Sequence, residues 1–163
     1  MKALKIKHPF WQVLGMGLVT GMRSTAAPVI TSHILSHHRT KKLDKSPLRF
    51  LQKETVETAL KLLALSELVM DKLPSAPNRI GMQGVIGRGL AGALAGASIF
   101  KATGGKAMAG ALLGGSAAVA STFGSFYLRR GLVKKTRVFD PFIGAVEDAL
   151  VIGAGVGLAH MAD

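Results

Sequence analysis

Six ionisable side chains stand inside sequence that is otherwise apolar: Arg23, Glu67, Asp71, Arg88, Glu147 and Asp148. A lone charge at the centre of a bilayer costs several kcal/mol, so each must pair, face water or do chemistry. Glu67 and Asp71 are four residues apart and share a helix face, along which Leu60, Leu63 and Ala64 also fall. Two arginines and two acidic groups can make two buried ion pairs, such as Arg23 with Glu147 or Asp148 and Arg88 with Glu67 or Asp71. The chemistry open to such a set is uptake and release of protons or cations by the acids. The arginines would then hold an anionic group or tune a carboxyl. Glu67, with apolar neighbours on both sides, is the strongest single candidate. The alternative is structural: Asp71, Lys72 and Asp148 at the interfaces, with Arg23 and Arg88 snorkelling or clamping helices.

Other reactive groups carry less. His33 and His37 have the i, i+4 spacing of a metal-binding pair, but no acid lies near them in sequence and they open a basic linker, so an interfacial role is expected and no metal site. Cysteine is absent, which removes disulfides, thiolate catalysis and thiolate-bound metals. No G-x-S-x-G, H-E-x-x-H or phosphate loop is present. Ser24, Thr25, Ser66, Ser116, Ser121 and Thr122 are expected to bond between helices. We expect no enzyme and no cofactor.

The elements that must position the charged set are apolar. Residues 107–128 carry no charge and stop at Arg129-Arg130. At about 1.5 Å per residue, a helix of that length crosses a hydrocarbon core of roughly 30 Å. Four further apolar segments surround it: about 10–35, broken by Gly21, Arg23 and Pro28; 56–73, ended by Pro74 and Pro77; 80–100, carrying Arg88; and 141–161, opened by Pro141. A basic linker occupies 37–53. The expected fold is a single all-α domain over 1–163, a polytopic membrane bundle of four to five hydrophobic elements. The start of the chain looks like a signal peptide with Ser24-Thr25-Ala26-Ala27 as its cleavage region, but Arg23 and the further apolar run favour a retained membrane segment.

Mean hydropathy is +0.35 and 48% of residues are hydrophobic, against 6% aromatic. The twenty glycines therefore read as close helix contacts. Gly17/Gly21, Gly92/Gly96, Gly110/Gly114 and Gly153/Gly157 each leave a groove on one face. The net charge of +12 sits in blocks beside apolar segments, which favours anionic lipid at basic loops over nucleic acid. Trp11 and Tyr127 fall near segment ends, where interfacial aromatics belong.

If segments 10–35 and 80–100 both break and return to the side they left, the N-terminus, the 37–53 linker and the 129–137 block share one side. Only Lys72, Arg79, Lys101 and Lys106 then face the other. Both segments hold arginine in a glycine setting, Gly21-Met22-Arg23 and Gly87-Arg88-Gly89. A surface-lying amphipathic linker accounts for the charges without re-entrance.

Gly21-Met22-Arg23, the run Glu67 to Pro74, Arg88-Gly89 and Glu147-Asp148 together resemble the DUF4126 family of small bacterial integral membrane proteins, a domain of unknown function. The resemblance implies a bacterial inner-membrane protein and brings no activity. Two functions are open. One is a small transporter or channel whose path is built from Arg23, Glu67, Asp71, Arg88, Glu147 and Asp148. The other is an accessory subunit packed in a larger membrane complex. A homo-oligomer is expected in either case.

Overall fold

The computed structural model describes residues 4–70, 80–136 and 140–162, and these form helices joined by short turns. Six are α-helices: α1 (Pro9–Met22), α2 (Ala26–His37), α3 (Glu54–Met70), α4 (Met82–Thr103), α5 (Ala107–Thr136) and α6 (Asp140–His160). Two 3-10 turns, Lys41–Leu43 and Pro47–Gln52, fill the linker. Three helices are long and apolar enough to cross a membrane, over Met82–Thr103, Ala107–Leu132 and Ile143–His160.

The first apolar segment breaks where the sequence demands it. Pro28 has no N–H, and its ring would strike the carbonyl of Ser24 in a continuous helix. Arg23 is extended, with φ −135° and ψ 117°, and α2 restarts at Ala26 so that Pro28 falls in its first turn, where no N–H is needed. The chain then folds back: Thr31 Oγ1 lies 3.5 Å from Met16 Sδ, fifteen residues away. At 14 and 12 residues, neither helix alone covers a hydrocarbon core. Together they make a helical hairpin that returns to the end it left. Val13, Met16, Ala27, Ile30 and Ile34 of this hairpin form the centre of the main core with Ala95, Ile99 and Leu158.

The segment at 80–100 does not break. α4 runs as one continuous helix through Gly87-Arg88-Gly89. A glycine in a helix interior costs only about 1 kcal/mol, and no proline follows to forbid the helix. α4 ends at Gly104, whose φ of 97° suits glycine, and Gly104 and Gly105 donate back to the carbonyls of Lys101 and Phe100.

α4 and α5 pack antiparallel with backbones in contact. A Cβ on Gly96 would lie 2.0 Å from the Gly110 carbonyl oxygen, and one on Gly114 2.2 Å from that of Gly92. α1 joins the seam, with Gly17 against Gly114 and Ala117 and Gly21 against Ser121. Three of the four glycine pairs therefore make grooves that are filled. The fourth, Gly153/Gly157 on α6, has nothing within 4 Å.

These pairings give every element a depth. Val13 meets Gly96, which itself lies on Gly110, so Trp11 stands near the level of Met108. From there to Tyr127 along α5 is about 29 Å, the thickness of a hydrocarbon core. Trp11 and Tyr127 are both mostly exposed, as interfacial anchors are. The hairpin's turn, at the level of Ser121, lies inside that interval and nearer the Tyr127 end.

The linker caps the Trp11 end. Leu43 and Leu51 are fully buried against Leu35 and Ala102, while Lys41, Lys42, Lys45, Arg49 and Lys53 face outward. Lys42 Nζ donates to the Thr103 carbonyl at 2.9 Å, a cation at the negative end of α4. The linker, Lys101 and Lys106 thus share one end, and the basic block that starts at Arg129 lies at the other. This corrects the topology expected with two broken segments: an unbroken α4 carries the chain across.

Candidate functional site

The break between α1 and α2 creates the polar centre. Arg23 sits on the extended residue, only 7% exposed. Its Nε and Nη2 donate to Asp148 Oδ1 of α6 at 2.8 and 2.5 Å. One of the ion pairs expected from sequence is therefore formed, with Asp148 and not Glu147 as the acid.

Glu67 of α3 closes the other side of the turn. Its Oε1 accepts from the Ser24 N–H and hydroxyl at 3.1 and 2.6 Å, and its Oε2 from the Thr25 N–H and hydroxyl at 3.2 and 2.5 Å. The N–H groups that open a helix lack intrahelical partners, and the dipole there favours an anion. Glu67 supplies both the acceptors and the charge from a neighbouring helix. It pairs with this turn and not with Arg88. The other acid considered for Arg88, Asp71, lies outside the described residues, as do Lys72 and Arg79. Arg88 itself is buried in α4.

Glu147 turns to a base that sequence reasoning assigned only to ending a span: Arg129 Nη1 donates to its Oε2 at 3.3 Å. Among the six candidates, Arg23, Asp148 and Glu67 meet around one turn, and Glu147 lies next door on α6. The roles of Ser24 and Thr25 had a signal in the sequence. Two hydroxyl residues directly before an apolar helix are a start signal, but the small residues around them resemble a cleavage region equally well.

A cavity of about 540 Å³ runs along α2 between α3 and α6. Arg23, Thr25 and Asp148 line one end, and Val29, Ile30, Val151 and Val156 line its length. His33, His37, His38, Lys61 and His160 line the far end, towards the linker. The cavity therefore joins the polar centre inside the apolar span to a basic mouth about one α2 length away, roughly 18 Å. At that mouth Glu57, buried in the first turn of α3, meets four side chains. Its Oε1 lies 2.8 Å from His33 Nδ1 and 2.5 Å from Lys61 Nζ, and its Oε2 accepts from Ser36 Oγ at 2.5 Å and lies 3.8 Å from His37 Nδ1. Glu57 was not singled out from sequence, because it sits twenty residues beyond His37 and only the antiparallel docking of α3 on α2 brings it back.

Fold and site define a small polytopic helical membrane protein with a broken, hairpin-forming first segment and a buried Arg–Asp pair at the break. The chain belongs to the DUF4126 family, a domain of unknown function, whose family model matches residues 11–161. No curated protein and no solved structure matches it.

Proposed function

We propose that this protein is a small transporter or channel of the bacterial inner membrane, with Arg23 and Asp148 as its working pair. The observation that carries this reading is the break at Arg23–Thr25. Non-helical backbone is held at membrane depth inside the bundle, its charged residue paired across to α6 and opening on a cavity. Discontinuous helices of this kind build binding sites in transporters, where irregular backbone lines a cavity. In this reading Asp148 takes up the proton or cation when the Arg23 guanidinium swings off its carboxylate and gives it up when Arg23 returns, and Glu67 holds the turn that presents Arg23. Glu147 and Arg129 guard the nearer interface, and Arg88 and Asp71 complete the polar set from α4 and from the end of the second apolar segment.

The test is flux in proteoliposomes. With a potassium diffusion potential and an internal pH dye, the wild-type protein should carry protons faster than protein-free vesicles. Asp148→Asn should stop this, and Ala64→Phe, which fills the cavity from α3, should slow it. Flux equal to empty vesicles for the wild type and all variants would sink the transport reading.

One observation favours a second reading, an accessory subunit packed against a larger membrane complex. The Gly153/Gly157 groove on α6 is open, beside exposed Leu150, Ile152 and Val156. That face offers close backbone approach to another helix. In both readings the outward bases of the linker, anchored by Leu43 and Leu51, bind anionic lipid headgroups.

A further inference from the structure

The sequence offers a histidine pair one helical turn apart and no acid near it. Folding supplies the acid. One donor atom from each of His33, His37 and Glu57 lies within 4.8 Å of the other two. Two histidines at i, i+4 on one helix with a carboxylate from a second is a donor set suited to a divalent transition ion such as Zn²⁺. We infer that His33, His37 and Glu57 form a transition-metal site at the mouth of the α2 cavity, with its open coordination position facing that cavity.

The geometry supports this in three ways. First, the ring atom that each imidazole turns to the carboxylate is Nδ1: His33 Nδ1 lies 2.8 Å from Glu57 Oε1 and His37 Nδ1 3.8 Å from Oε2. An ion bound there would take the lone pair of each Nδ1 and displace the hydrogen that His37 shares with the His33 carbonyl oxygen. Second, Glu57 is buried at 5% exposure and already positioned by Ser36 Oγ. Its second oxygen is the one an ion would take. Third, the two imidazoles are close, with ring centroids 4.4 Å apart. Tetrahedral bonds of about 2.1 Å put ligand atoms roughly 3.4 Å apart, so the widest pair need close by no more than about 1.4 Å and the His33–Glu57 pair open by about 0.6 Å, within reach of side-chain rotation.

Lys61 is the competitor. Its ammonium lies on Glu57 Oε1, where the ion would bind, but its side chain is half-exposed and can swing into the cavity mouth. Exchange of one positive charge for two against the same carboxylate favours the ion. Neither the ligand set nor the exchange depends on whether the cavity conducts.

The experiment is Co²⁺ and Zn²⁺ titration of the full-length protein in detergent, by calorimetry and by the visible spectrum of Co²⁺. One ion per chain is expected, with the intense absorption of four-coordinate cobalt. His33→Ala or His37→Ala should weaken binding by more than the roughly 10–100-fold that loss of an outer-shell partner costs. Glu57→Gln should weaken it comparably. Lys61→Met should tighten it several-fold, because the competing charge is gone. Lys61→Met guards against misfolding as an explanation, since a gain of affinity needs a folded site. Absence of binding would overturn the proposal. So would binding that Glu57→Gln and Lys61→Met leave unchanged, since that is the behaviour of a surface histidine pair alone.

Discussion

At the scale of single residues, the Arg23–Asp148 pair has the energetics of a buried ion pair. Breaking such a pair costs about 3–5 kcal/mol, because the remaining charge is stranded, whereas an apolar replacement of both partners is close to neutral. Asp148→Asn should therefore lower the thermal midpoint in detergent by roughly 6–20 °C for a chain of this size, and Arg23→Met/Asp148→Leu should recover most of that loss. Equal losses for the single and double variants would show that the pair is no energetic unit. Glu67 behaves differently, as the acceptor for four donors of a helix start. Glu67→Ala leaves those donors with no carboxylate and should cost about 2–3 kcal/mol, read as a lowered midpoint, while Glu67→Asp, too short to reach both residues, recovers only part. The sequence announced that these charges need partners, since an unpaired charge in apolar sequence is a physical contradiction. It did not announce which partners. Arg23 had Glu147 and Asp148 on adjacent positions, about 100° apart around a helix, and only the rotation of α6 in the bundle selects one.

At the scale of elements, backbone chemistry was legible and packing was only half so. Pro28 cannot bond to the Ser24 carbonyl and its ring strains a helix there, so the break in the first segment is marked by Pro28 together with Gly21 and Arg23. The two glycines around Arg88 suggest a break by analogy but contain nothing that forbids a helix, and α4 is continuous. Small-residue spacing marks a groove but not its occupant, because the pattern is local and the partner is not. Hence Gly92/Gly96 and Gly110/Gly114 interlock, while Gly153/Gly157 stands open. The contrast makes a paired prediction. Gly96→Ala must push α4 from α5 against a carbonyl oxygen and should cost about 2–3 kcal/mol or more. Gly157→Ala meets nothing and should gain roughly 0.5–1 kcal/mol from helix propensity. Thermal midpoints of the two variants in the same detergent check this. A loss of similar size at Gly157 would mean that the α6 groove is filled in solution by a second helix, which is the observation the accessory-subunit or oligomer reading needs.

At the scale of the whole molecule, charge and topology have to agree. Block charges alone pointed to three basic regions on one side, which required two segments to turn back. One hairpin turns back and α4 crosses, so the end holding Lys5, Lys7, the linker, Lys101 and Lys106 opposes the end holding Arg129 and Arg130. The linker end carries more bases close to helix ends, and the positive-inside bias is set by that number, which predicts that this end faces the cytoplasm. The absence of cysteine makes this measurable with single introduced thiols. In intact cells treated with a membrane-impermeant reagent, Lys45→Cys and Lys106→Cys should both be protected, and Arg130→Cys should be labelled. Lysis should expose the first two. The decisive comparison is between 106 and 130, which are joined by α5 alone. Opposite labelling there requires that α5 crosses, and matching protection of 45 and 106 requires that an even number of crossings separates them. The α1–α2 hairpin returns the chain to the linker end, α3 starts from that end and α4 comes back to it, which meets that requirement. If 45 and 130 were both protected while 106 was labelled, α4 and its predecessor would not make a return crossing. The antiparallel glycine seam would then have to be abandoned along with the depth it gives to the Arg23 turn.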